Sequence, residues 1–136
     1  MTRKIAIGLL VPSSTITPMG KEFENGVKKG LKKILDDSTW EVDLIPEFIG
    51  PGSKEKVEAA INKLVGYDNA DIITGIVSNK SGTEVADKFE KNKKLFLINN
   101  LGEHLPNPNA FNANIFMNSV NLWQQVWSLG YWGVKT

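Results

Sequence analysis

The chain has 136 residues, 41% of them hydrophobic and 23% charged, with a formal net charge of +1. That is the size and balance of one globular domain, long enough to bury a core without covalent staples. The absence of cysteine excludes disulfides, thiol catalysis and thiolate-bound metal centres, and a single histidine, His104, excludes a multi-histidine metal site.

No apolar run approaches the roughly 18 residues that a membrane span needs. Met1–Lys4 leads into a short apolar stretch ended by Pro12, which reads as a strand rather than a secretory leader. Charge is unevenly spread. Residues 1–35 carry seven Lys/Arg against two Asp/Glu, residues 36–100 carry eight against twelve, and residues 101–136 carry only Glu103 and Lys135. This balance gives no reason to expect nucleic acid. The basic cluster Lys28, Lys29, Lys32 and Lys33 has no interleaved aromatic residues and reads as a solvated helix face.

Ile5–Val11 is a nearly unbroken apolar run, the pattern of a strand covered on both faces of a parallel sheet. A Ser/Thr/Pro loop over Ser13–Gly20 follows. A helix is predicted from about Lys21 to Leu35, with Phe23, Val27, Leu31 and Ile34 on one stripe. Gly26 and Gly30 lower its helix propensity, which predicts close approach to a sheet there. Trp40–Ile49 alternates and contains Pro46, so it predicts an edge strand. After the turn at Gly50–Gly52, Ser53 is placed to cap a helix with Val57, Ala60, Ile61, Leu64 and Val65 inward and Gly66 as its stop.

Ala70–Val77 is a third strand. Ser81 and Glu84 have capping-box spacing for a third helix with Val85, Ala86 and Phe89 on its inner face. Lys94–Asn99 is a fourth strand, and Ala110–Met117 holds a short fifth. Ser119 is placed to cap a last helix whose stripe is Val120, Trp123, Trp127 and Tyr131, widened by Leu122, Val126 and Leu129. Trp123 and Trp127 are expected to face the sheet, with Tyr131 or Trp132 exposed. Val134–Thr136 reads as the approach to a further strand, so the chain is expected to be a fragment of a longer protein.

The order β-α-β-α-β-α-β-(β)-α predicts an α/β fold, a doubly wound parallel sheet with right-handed crossovers. A double-sided first strand beside an edge-like second strand favours the flavodoxin-like order 2-1-3-4(-5). Ligands in such a sheet bind beyond the carboxyl ends of the strands, at the switch point between strands one and three. That rim comprises Ser13–Gly20, Ser78–Gly82 and Asn99–Glu103. Ser78 and Ser81 precede a helix N-terminus, where free N–H groups favour an anion, although the plainer reading of Ser81 is a cap. Nothing on the rim reads as catalytic. Glu103 and His104 are loop neighbours, and no Gly-x-Ser-x-Gly, Walker or Gly-x-Gly-x-x-Gly motif is present. No metal site or cofactor is expected.

The run Ile5-Ala-Ile-Gly-Leu-Leu-Val-Pro, the Ser/Thr loop, Met19-Gly20 and the helix Lys21-Glu-Phe-Glu-Asn-Gly together resemble the opening of type I periplasmic substrate-binding proteins. The branched-chain amino acid (Leu/Ile/Val) receptors of ABC transporters are the nearest subgroup. Val42-Asp-Leu-Ile-Pro, Ala70-Asp-Ile-Ile-Thr-Gly, Ser78–Ser81 and Lys94-Leu-Phe-Leu-Ile-Asn-Asn keep the same order. Leu129-Gly-Tyr-Trp-Gly-Val-Lys resembles the point where those proteins cross to their second lobe.

The resemblance spans essentially the whole chain but one of the family's two lobes, so residues 1–136 are expected to form a single ligand-binding lobe. It implies a non-enzymatic, extracytoplasmic receptor whose two lobes close on a small polar ligand before docking on a membrane permease. It does not imply membrane insertion. Ligand contacts would come from Met19, Ser78, Asn79 and Ser81, from Leu101, Gly102 and Glu103, and from Asn121. Three departures bear on the ligand. Asn121 is neutral where the family carries a carboxylate for the ligand's amino group, Glu103 stands where a small or hydroxyl residue is usual, and Lys80 enters the Ser-rich turn. An anionic and an uncharged ligand are equally open. Two other readings share this architecture: a flavodoxin-like FMN electron carrier and the ligand-sensing domain of a receptor or regulator.

Overall fold

The first apolar run forms β1 (Arg3–Pro12), and the computed structural model, which describes residues 3–13, 18–36, 38–103 and 107–135, places it inside the sheet. Leu9, Leu10 and Val11 are consecutive and all buried, which requires cover on both faces. The crossover helix α1 (Met19–Leu35) leads to β2 (Trp40–Gly50) at the sheet edge. There Pro46, which cannot donate to a ladder, pairs with Leu9. Then come α2 (Lys54–Gly66), β3 (Ile72–Ile76), α3 (Asn79–Glu84), α4 (Ala86–Asn92), β4 (Leu95–Asn100), a 3-10 turn (Pro108–Ala110), β5 (Ile115–Ser119) and α5 (Leu122–Lys135). All strands are parallel, in the order β2-β1-β3-β4-β5.

The two faces differ. On one, α2 and α4 bury Val57, Ile61, Leu64 and Phe89 against Leu10, Ile73, Phe96 and Ile98. Phe89 and Phe96 stack at 4.5 Å. On the other, α1 packs on β1 and β2, while Leu95, Leu97 and Phe116 of the outer strands are exposed. Among the described residues no helix is long and apolar enough to cross a membrane.

Several local expectations are corrected. Gly26 and Gly30 face open space, and Ile34 is exposed. The close approach is six residues before Gly26, at Gly20, where a Cβ would overlap the Pro12 carbonyl oxygen and lie 2.6 Å from Val11 Cγ1. Ser53 occupies the N-cap position of α2 without bonding its backbone. Glu55 is instead held below the usual carboxylate range, first by its own backbone N–H and then by the Ser53 side chain. The third helix is two helices, because buried Val85 (φ −111°, ψ 2°) leaves helical geometry between them. Ser119 belongs to β5 rather than capping α5, and α5 continues through Val134 to Lys135 where a strand approach was expected.

The largest correction concerns α5. Trp123 is 39% exposed and Trp127 64%, so neither is buried against the sheet; Trp132, at 64%, is exposed as expected. Apolar periodicity identifies a helix face but not what lies against it.

Two substitutions in one helix separate packing from propensity. Gly20→Ala is expected to destabilise the fold by about 1–3 kcal/mol through overpacking against backbone. Gly26→Ala is expected to stabilise it by about 0.5–1 kcal/mol, since only chain entropy changes. Urea denaturation of both variants checks this; equal effects would contradict the packing at Pro12.

Candidate functional site

The rim beyond the strand ends is built from loops that bond to one another. Leaving β3, the chain turns at Ser78 (φ −66°, ψ 151°), the N-cap of α3. Its Oγ accepts from the Ser81 backbone N–H at 3.0 Å. The cap is therefore Ser78 rather than Ser81. The Ser78 hydroxyl also donates to Ser81 Oγ (3.0 Å), and Ser81 donates to the Gly52 carbonyl (3.4 Å), which ties this turn to the one before α2.

Asn79, 2% exposed, joins that turn to the loop after β4. Its backbone N–H donates to Glu103 Oε2 at 2.8 Å and its side chain donates to the Glu103 carbonyl at 3.1 Å. Its Oδ1 accepts from Asn100 Nδ2 at 2.7 Å. Asn100 Oδ1 in turn accepts from the Gly102 N–H at 2.9 Å. Gly102 (φ +100°) makes the final seam. A Cβ there would lie 2.5 Å from the Leu122 nitrogen and 2.6 Å from Asn121 Cα. The Leu101 and Gly102 carbonyls accept from the Leu122 and Trp123 N–H groups that open α5.

A polar ladder crosses the ends of three strands. Asn118 Nδ2 donates to Asn99 Oδ1 (2.9 Å), Asn99 Nδ2 donates to Thr74 Oγ1 (2.9 Å), and Thr74 donates to the Leu97 carbonyl (3.0 Å). Beside it lies an open cavity of about 790 Å³. Met19 and Phe23 of α1, Pro12 and Pro51, and the segments after β3 and β4 line it, with Leu122 closing one end. The cavity spans the divergence of α1 and α2 from β1, the switch point of a doubly wound sheet.

Of the eight residues singled out in the sequence, Met19, Ser78, Leu101, Gly102 and Glu103 line the cavity. Asn79 and Ser81 are buried and hold the turn. Asn121 (φ 54°) is exposed and not part of the lining; its backbone packs on Gly102 and its N–H donates to Ser119 Oγ. Ser14–Thr17 of the first loop, and His104, lie outside the described residues. Asn118 and Phe23 were not foreseen as lining.

No protein-family model matches this sequence, and no curated protein does. Solved structures match its fold. An ABC transporter substrate-binding protein from Sphaerobacter thermophilus is 21% identical, with a TM-score of 0.71 over 85% of this chain and 32% of that one. An ABC transporter from Rhodopseudomonas palustris is 22% identical, with a TM-score of 0.64 over 93% and 35%. An ABC-type branched-chain amino acid transporter from the same organism is 21% identical, with a TM-score of 0.61 over 85% and 32%. This chain has the fold of one lobe of a substrate-binding protein. The lobe spans about a third of the length of those structures.

The rim network gives a stability prediction. Asn79→Ala strands the Asn100 donor and the Glu103 carbonyl, and is expected to cost about 1–3 kcal/mol. Ser78→Ala removes the cap of α3 and the hydroxyl bond to Ser81 but no bond to Glu103, at about 1–2 kcal/mol. In amide spectra Asn79→Ala should move Gly102 and Glu103, 23 and 24 residues away in sequence, and Ser78→Ala should leave them near their original positions. Unshifted Gly102 and Glu103 signals in Asn79→Ala would contradict the network.

Proposed function

We propose that this chain binds a small organic solute, as the ligand-holding lobe of the extracytoplasmic solute-binding component of an ABC transporter. The observation that carries this reading is the cavity at the switch point, with apolar walls and a few convergent polar groups on a hydrogen-bonded rim. The fold shared with ABC transporter substrate-binding proteins supports it. The description of one of them as a branched-chain amino acid transporter favours an amino-acid-like or small-carboxylate solute.

In this reading the chain performs no catalysis. It works with a second lobe that closes over the cavity and with a permease that receives the closed form. The candidate contacts are Met19, Ser78, Leu101, Gly102 and Glu103, with Asn79 and Ser81 holding them in place and Asn121 on the α5 side. The exposed apolar surface of α5 is consistent with contact to a second lobe.

An open cavity leaves one side of the solute in water, so each hydrogen bond nets about 1 kcal/mol. About four such bonds give a dissociation constant near the millimolar range. Titration of this 136-residue chain with leucine, isoleucine, valine and small carboxylates should therefore show weak, saturable shifts in the amides of Ser78, Asn79 and Gly102. Micromolar binding would mean that one lobe suffices. Retention of FMN, visible as a yellow protein, would replace the reading with an electron carrier.

A further inference from the structure

We infer that the group a bound solute presents to this lobe is an amine, and that Glu103 selects it. The inference rests on the solute-binding reading and refines it. Two observations carry it: the charge of the cavity lining, and the hydrogen-bond donors already spent within the rim.

Among the residues that line the cavity, Glu103 is the one charged side chain. Lys80, the nearest basic residue in sequence to the Ser-rich turn, lines a separate groove with Ser53, Lys54 and Glu84. A carboxylate entering the cavity would meet a negative charge and no lysine or arginine among its lining residues. Desolvating an anion beside a like charge is unfavourable unless donors compensate it.

Six of the backbone donors that would compensate are engaged. At the start of α3, the Asn79 N–H is held by Glu103 Oε2, the Ser81 N–H by Ser78 Oγ and the Gly82 N–H by the Ser78 carbonyl. At the start of α5, the Leu122 and Trp123 N–H groups bond to the Leu101 and Gly102 carbonyls. The Gly102 N–H is bonded to Asn100 Oδ1. The protein's own carboxylate thus sits where an anionic headgroup was expected.

Two acceptors on the lining are left over. Glu103 Oε1 and Asn118 Oδ1 accept no hydrogen bond among the described residues. A protonated amine supplies donors to these two acceptors and the positive charge that this lining lacks, and Met19, Phe23, Leu101 and Leu122 offer apolar contact for its carbon skeleton. An amino acid would accordingly orient its amino end toward this lobe.

The test uses three probes with one skeleton: 3-methylbutan-1-amine, 3-methylbutan-1-ol and 3-methylbutanoate. Each is titrated into the chain near neutral pH and followed by the amide shifts of Ser78, Asn79 and Gly102. Because Glu103 is exposed, the ion pair is screened, and the amine should bind about fivefold more tightly than the alcohol, with the acid weakest. Glu103→Gln keeps an oxygen to accept from Asn79 and removes the charge. It should weaken the amine about fivefold and erase the discrimination against the acid. Glu84→Gln, the same charge change outside the cavity, should leave the order intact. Binding of the acid as tight as that of the amine, or an amine affinity unchanged in Glu103→Gln, overturns the inference and leaves the solute-binding reading standing. Absence of rim shifts with all three probes and with the amino acids overturns both.

Discussion

The structure depends on the need to cover β1 on both faces. Leu9 and Val11 point one way, Leu10 the other, and all three are buried. A parallel strand with neighbours on both sides meets this need only if the chain leaves it by one face and returns by the other. Here α1 carries the chain outward to β2 over one face, and α2 carries it back to β3 over the opposite face. Right-handed crossovers make those helices diverge at the carboxyl end of β1. The cavity is the space that this divergence leaves, so its position follows from the burial of three aliphatic side chains.

Around that space the chain uses its short polar residues on itself. Ser78 and Glu103 satisfy the opening turn of a helix of only six residues, and Asn79 links the segment after β3 to the segment after β4. The Gly102 seam fixes where α5 begins. Such internal bonding orders the rim on its own, which would reduce the ordering cost of binding in the proposed function. It also decides the chemistry offered to solvent. A rim that spends several donors on its own carbonyls and on one carboxylate places that carboxylate at the helix start, where the residue types alone suggested room for an outside anion.

The sheet is unevenly supported. Stacked Phe89 and Phe96, with Ile61, Leu64 and Ile73, make one dense face under α2 and α4. The opposite face is covered by α1, whose one buried residue is Gly20, and Leu97 and Phe116 stand in solvent beside the polar ladder. Most of the hydrophobic stabilisation therefore lies on the α2 side, away from the cavity.

The order of strands, the edge position of β2 and the rim segments were legible in the sequence. Each depends on short-range patterns: an unbroken apolar run, an alternating run with Pro46, and turn residues after strands. Those patterns reflect how many faces a strand buries, and that number constrains topology. The sequence could place Ser78, Asn79 and Glu103 on one rim, but not pair Asn79 with Glu103, because they meet through a backbone donor 24 residues from the carboxylate it serves. It could mark the Trp123–Tyr131 stripe, but not its surroundings, because periodicity records which side of a helix is apolar and not what lies opposite. It misplaced the close approach of α1, since Gly20 and Gly26 look alike until the Pro12 carbonyl is set against one of them. Local chain preference determined the elements and their order; long-range backbone geometry decided which polar groups pair with one another on the rim.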